Sequence, residues 1–177
     1  MTSFFDITST LPWPNAIGKR TAVGPLVGAA ESEAISELAK TTPLILVITA
    51  TTAAAHNLAS ELPFFLSDDR EILLVPDWET LPYDNFSPHE DIVSDRLKAL
   101  SRLPTLKSGV VIVSVTTLMH RLAPRHFIDA GVLSLKTGET LDAEKFVRNL
   151  TRNGYRSVDT VYEHGEFATR GSLLDVF

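Results

Sequence analysis

The chain has 177 residues, 44% of them hydrophobic and 21% charged, which is enough to bury a substantial core and to hold one domain plus part of another. Sixteen basic against 22 acidic residues leave a formal charge of −6, which opposes non-specific attraction to a phosphate backbone. No apolar run approaches the roughly 20 residues that cross a bilayer, zero cysteines exclude disulfides and thiolate metal sites, and the histidines at 56, 89, 120, 126 and 164 lack paired zinc spacing, so the expectation is a cytoplasmic protein with no metal and no membrane partner.

Residues 1–20, with Pro12, Trp13 and Pro14 in a polar setting, read as an irregular arm docked through the tryptophan. A βα rhythm then begins: a helix over 31–40, a buried strand over 44–48, an alanine-rich helix over 51–62 and a second strand over 71–75. Short continuous apolar runs alternating with helices predict a parallel sheet covered on both faces, a three-layer α/β domain over 21–124. Between Pro76 and Pro88 three prolines and three aromatics stand where a chain normally just turns. Prolines fix φ and remove donors, so this stretch is neither helix interior nor central strand, and Trp78, Tyr83 and Phe86 are expected to pin it against a core. Ser87-Pro88-His89-Glu90 has the form of a capping box that starts a helix with Ile92, Val93, Leu97, Leu100 and Leu103 on its apolar face. Pro104 ends it before a third buried strand over 109–115 and a short helix over 116–122.

Beyond Pro124 the pattern changes character, which predicts a second, α+β domain over 125–177. Val132–Leu135 alternates, Lys136-Thr137-Gly138 turns, and Asp142 caps a helix whose Phe146, Val147 and Leu150 face inward and which Gly154 stops. Antiparallel strands over 158–162 and 166–170 flank His164-Gly165 as a hairpin, and Leu173–Phe177 begins another strand, so the chain reads as a fragment cut within its second domain. Lys145, Arg148, Arg152 and Arg156 read as a solvated helix face.

Two stretches carry a resemblance. The run Asp77-Trp78-Glu79-Thr80-Leu81-Pro82-Tyr83-Asp84, continuing through Ser87-Pro88-His89-Glu90-Asp91-Ile92 to Arg96-Leu97, resembles the amino-terminal region of the bacterial transcription-repair coupling factors. Gly154-Tyr155-Arg156 and Glu163 through Phe177 are similar to the segment that this family shares with the excision-repair protein UvrB. For the parent protein the resemblance implies an ATP-driven double-stranded DNA translocase, with ATP and magnesium in motor domains elsewhere, that displaces RNA polymerase stalled at lesions. For this region it implies an adaptor that recruits UvrA through the second domain, on a surface masked in the resting full-length protein.

UvrB carries a phosphate loop at the start of its first domain, and residues 24–32 here look like a disabled one. With Ser32 at the hydroxyl position, Glu31 stands where the phosphate-binding lysine belongs, Ala30 on the second glycine and Pro25 on the first. A carboxylate there repels a triphosphate, so no cofactor is expected in this region, no catalytic residue is assigned, and Gly24 and Gly28 merely shape a turn. The rival reading is a helicase-like nucleotide-binding domain with an atypical phosphate loop, and a third makes the region a structural brace. There is also no room between Tyr83 and the helix cap for the DNA-engaging hairpin of UvrB.

The resemblance assigns Arg170 to the UvrA contact, where a guanidinium fork suits carboxylate pairing and stacking. Its plain alternative is a cross-strand salt bridge to Glu166 or Glu163. Arg156, Glu166, Phe167 and Gly171 are the accompanying candidates, with a core role open for Phe167 and a bulge for Gly171.

Overall fold

The computed structural model describes residues 11–177 apart from Asn15, Ser67, Asp68, Pro82, Leu133 and Ser134. The expected strand over 132–135 therefore lies partly outside the described residues, and the docking of the arm largely so. The chain divides into two compact units that are not sequential: residues 1–77 with 102–120, and residues 78–101 with 121–177.

The first unit follows the βα rhythm: α1 (Ala30–Thr41), β1 (Leu44–Thr49), α2 (Thr52–Phe65), β2 (Ile72–Val75), β3 (Gly109–Ser114) and a single turn α4 (Val115–Leu118). The three strands form a parallel sheet in the order β1-β3-β2, with Leu46 opposite Val111 and Leu73 on its other side. Strand period places Ile45, Val47, Val110, Ile112, Ile72 and Leu74 on one face, where they meet Ala39 of α1 and Ala55, Leu58 and Leu62 of α2. On the opposite face Val111 and Val113 of the central strand are buried, while Leu44, Leu46 and Ile48 of the β1 edge stay about half exposed.

Local chemistry sets the element ends. Thr51 caps α2 by accepting the Ala54 N–H at 3.1 Å. The sequence ended this helix at 62, but it continues through Pro63 to Phe65 because a proline near a helix end forfeits only one backbone bond. The Arg70 guanidinium closes the carboxyl end of α1, donating to the carbonyls of Ala39, Thr42 and Pro43, where the helix dipole favours a cation. Arg102 grips Glu71 through Nε to Oε1 at 2.8 Å and Nη2 to Oε2 at 2.6 Å, which holds the Glu71 carboxyl below its ordinary range.

Strand β3 threads between its neighbours at Gly109, whose N–H reaches the Pro43 carbonyl at 2.7 Å while Val110 N–H reaches that of Glu71 at 2.9 Å. Gly109 has φ +145°, and a β-carbon there would lie 2.3 Å from the Glu71 carbonyl oxygen. Only glycine fits this entry to the central strand. Gly109→Ala is expected to destabilise the protein by well over about 1 kcal/mol in urea unfolding, whereas Gly24→Ala, with open space around it, leaves the midpoint nearly unchanged; equal behaviour of the two would contradict the packing described.

Candidate functional site

The second unit is built from α3 (Glu90–Arg102, all but its last residue), α5 (Arg125–Gly131), α6 (Ala143–Arg152), β4 (Arg156–Ser157), β5 (Glu166–Arg170) and β6 (Leu173–Val176). Helix α5 has no counterpart in the sequence reading; at seven residues, with Ile128 its one buried side chain, it is too short to show a period. Helix α6 is as expected: Asp142 accepts the Lys145 N–H at 3.0 Å, and Phe146 and Leu150 pack with Phe167, Tyr155 and Leu174 into a small core. Lys145, Arg148 and Arg152 lie on the solvated side, with Arg148 3.5 Å from Glu144.

The sheet departs from the predicted antiparallel hairpin. Strand β4 is two residues long and runs parallel to β5, with Arg156 opposite Glu166, and residues 158–165 form a loop instead of a strand. The reason is side-chain chemistry. Glu166 is buried at 8% exposure, and its Oε2 accepts the backbone N–H groups of both Tyr162 and Glu163 at 3.0 Å. Those donors are thereby taken out of any ladder. The same two amides hold the Glu166 carboxyl below its ordinary pKa, with the Arg156 charge adding to them. The true hairpin is one turn later: β5 and β6 pair antiparallel, Arg170 opposite Leu173, across Gly171-Ser172. Gly171, at φ +61°, is the first residue of this two-residue turn, so its role is a turn and not a bulge.

Each candidate now has a place. Arg170 is exposed at the end of β5, and its Nη2 donates to the Asp159 carbonyl at 2.8 Å and the Thr160 hydroxyl at 3.2 Å. It thus reaches across to the loop, and the acidic pairing that was its plain alternative belongs to Arg156 instead. Arg156 Nη2 stands 3.3 Å from Glu163, 3.5 Å from Glu166 and 3.7 Å from Glu90. Phe167 is core. The structure therefore joins Arg170, Arg156 and Glu166 through one loop, and removes Phe167 from the surface.

Two features escaped sequence reasoning. His164 lies beside Asp91 and Ser94 of α3, 3.5 Å from each, and stacks on Phe177 with ring centroids 4.2 Å apart. With His89 it lines a cavity of about 210 Å³ bordered by Pro88, Glu90, Asp91 and Glu163, so two histidines 75 residues apart in sequence share one hollow. Among the described residues, no His, Cys, Asp and Glu set of three or more could hold a metal ion. The second feature is the cap of α3. The expected box at Ser87 does not form; the helix starts at Glu90, and His89 caps it, its carbonyl accepting the Val93 N–H at 3.1 Å and its Nδ1 the Asp91 N–H at 3.3 Å. The buried stripe of α3 is correspondingly turned. Arg96 and Ala99 are its buried residues and Leu97 is half exposed; the Arg96 guanidinium lies over the Trp78 ring at 4.6 Å.

In the first unit, the residues aligned with a phosphate loop are differently employed. Gly28, at φ +63°, makes the turn into α1; Glu31 is exposed; and the buried Ser32 hydroxyl donates to Glu61 of α2 at 3.0 Å. At the far end of the sheet Asp77 accepts from the hydroxyls of Thr116 and Thr117 at 3.1 and 2.7 Å, tying the exit of β2 to α4.

The class follows from the comparisons with known proteins. Residues 133–177, which contain the Arg170 loop and the whole of the small sheet, match the family model described as the UvrB interaction domain. Over almost its entire length the chain is similar to transcription-repair-coupling factors: 43% identical to that of Escherichia coli (strain K12) over 93% of this chain and 14% of the relative. It is also 43% identical to that of Haemophilus influenzae over 88% of this chain and 13% of the relative, and 40% identical to that of Mycobacterium bovis over 80% and 12%. The chain is related to a segment of the transcription-repair-coupling factors, and it spans about one seventh of the length of these relatives, as the 14% share states.

The Glu166 carboxylate gives a test by pH. Its folded pKa lies below the ordinary 4.5, so its contribution to stability is complete above that value and fades as pH falls through the folded one. Glu166→Gln is expected to be less stable than wild type at pH 7, with the difference shrinking on acidification below about pH 4.5; a difference constant from pH 7 to pH 3 would contradict the role given to the carboxylate.

Proposed function

We propose that this region is an adaptor: the α/β unit is a scaffold, and the second unit docks the damage-recognition protein UvrA. The observation that carries the reading is Arg170, exposed at a sheet end with its fork already oriented by Asp159 and Thr160, inside the residues that match the UvrB interaction domain. Fixing the guanidinium before the partner arrives reduces the ordering cost of association. Tyr162 and Leu173 are also exposed on this unit and would supply apolar contact around the charge.

On the same reading the parent protein is an ATP-dependent double-stranded DNA translocase acting on stalled RNA polymerase, with its motor outside these residues. The use of Ser32 and Gly28 within the first unit supports a region without its own nucleotide, as does a carboxylate where a lysine would be needed. A place beside DNA in the cytoplasm is part of the same reading; no helix of the described residues is long and apolar enough to cross a membrane.

Calorimetric titration of UvrA into this chain tests the reading. Saturable binding is expected, weakened at least tenfold by Arg170→Ala, with no heat from ATP and magnesium. Heat from ATP together with none from UvrA would overturn it in favour of a nucleotide-binding domain.

A further inference from the structure

The segment from Glu79 to Phe86 is used by nothing described so far, and its geometry is unusual. Leu81 and Phe86 are 74% and 82% exposed and Tyr83 is fully exposed, so the aromatics that were expected to pin the loop to a core face solvent, and Trp78 alone is turned inward, against Arg96. Among its described residues, Glu79 at φ +56° and Tyr83 at φ +74° adopt the left-handed backbone. For a bulky aromatic that is a strained conformation, held only where its surroundings over-determine it. Asp84 supplies the restraint: its N–H donates to the Leu81 carbonyl at 3.1 Å, and its carboxylate accepts the Leu81 N–H at 2.7 Å. Leu81 and Asp84 are thus tied to each other twice, and the side chains of Leu81, Tyr83 and Phe86 stand outward from this stretch.

We propose that this loop is a second contact element for the partner docked by Arg170, inserting Tyr83 and Phe86 into an apolar pocket of that protein rimmed by lysine or arginine. The proposal rests on the UvrA reading above. Continuity argues for a shared partner. The loop leads directly into Pro88–Asp91, which borders one cavity with Glu163 and His164, and these belong to the loop whose Asp159 and Thr160 hold Arg170. Charge argues for the chemistry of the pocket. From Asp77 to Asp95 the chain carries six acidic residues and no lysine or arginine, so a basic rim is attracted and a nucleic-acid backbone repelled. Exposed tyrosine is among the side chains enriched at interface hot spots and phenylalanine among those enriched in interface cores, and a backbone conformation set in advance is not charged to binding.

Tyr83→Gly and Phe86→Ser test this in the 177-residue chain, titrated with UvrA beside wild type and Arg170→Ala, with thermal unfolding of each. Glycine suits the backbone at position 83, so that variant keeps or gains stability while losing the ring. The expected result is an unfolding midpoint at or above wild type for Tyr83→Gly and affinity for UvrA at least tenfold weaker for both variants. Wild-type affinity in both, with Arg170→Ala still impaired, overturns the loop proposal and leaves the UvrA reading standing. No binding by the wild type overturns the UvrA reading and the loop proposal with it. Saturable binding of a single-stranded oligonucleotide that both variants lose overturns it in favour of base stacking on the same aromatics.

Discussion

The buried carboxylate of Glu166 is the constraint on which the second unit depends. One oxygen gathers the backbone amides of Tyr162 and Glu163 while the other faces Arg156, so a loop that would otherwise extend is wound around a fixed point. Surface ion pairs such as those of Arg156 with Glu163 and Glu90 contribute little alone. Their weight here comes from flanking a carboxylate that is already buried and bonded. The winding turns the Asp159 carbonyl and Thr160 hydroxyl toward β5, where they set the Arg170 fork. Arg170 is therefore oriented at two removes by Glu166, which does not touch it, and a loss of binding on changing Glu166 would not by itself make that carboxylate a contact.

The two units show opposite relations between sequence and chemistry. In the first, the residues aligned with a phosphate loop serve packing, Gly28 in a turn and Ser32 in a bond with α2, while Asp77 holds the threonines of α4. What remains is a parallel sheet whose central strand is locked by Gly109, with the carboxyl end of α1 closed by Arg70. In the second, polar side chains converge on loops and strand ends, and the small core of Phe146, Leu150 and Phe167 holds the platform on which they stand.

Much of this was legible from the chain. Apolar runs read at 44–48, 71–75 and 109–115 announced a parallel sheet, and Asp142 with Gly154 bounded α6, because such signals are local and carried by the element itself. What was not legible depends on partners distant in sequence. A two-residue strand such as β4 has no period to read, and its parallel pairing follows from where the Glu166 carboxylate sends two amides. Ser87 has the better capping chemistry, yet the cap falls at His89 and the helix begins at Glu90, a choice no local signal favours. Likewise, apolar character at Tyr83 and Phe86 suggests packing, yet both are exposed, since composition cannot tell an anchor turned inward from one turned outward. Arg170 was found through resemblance, but its bonds to Asp159 and Thr160 required the loop to be seen.

Amide hydrogen exchange of this chain with and without UvrA tests the central claim most directly. The account predicts slowed exchange across residues 159–172, the loop and hairpin that hold and present Arg170, with the helices and strands over 30–49 unchanged. Slowing confined to the α/β unit, or none in the Arg170 loop, would contradict it.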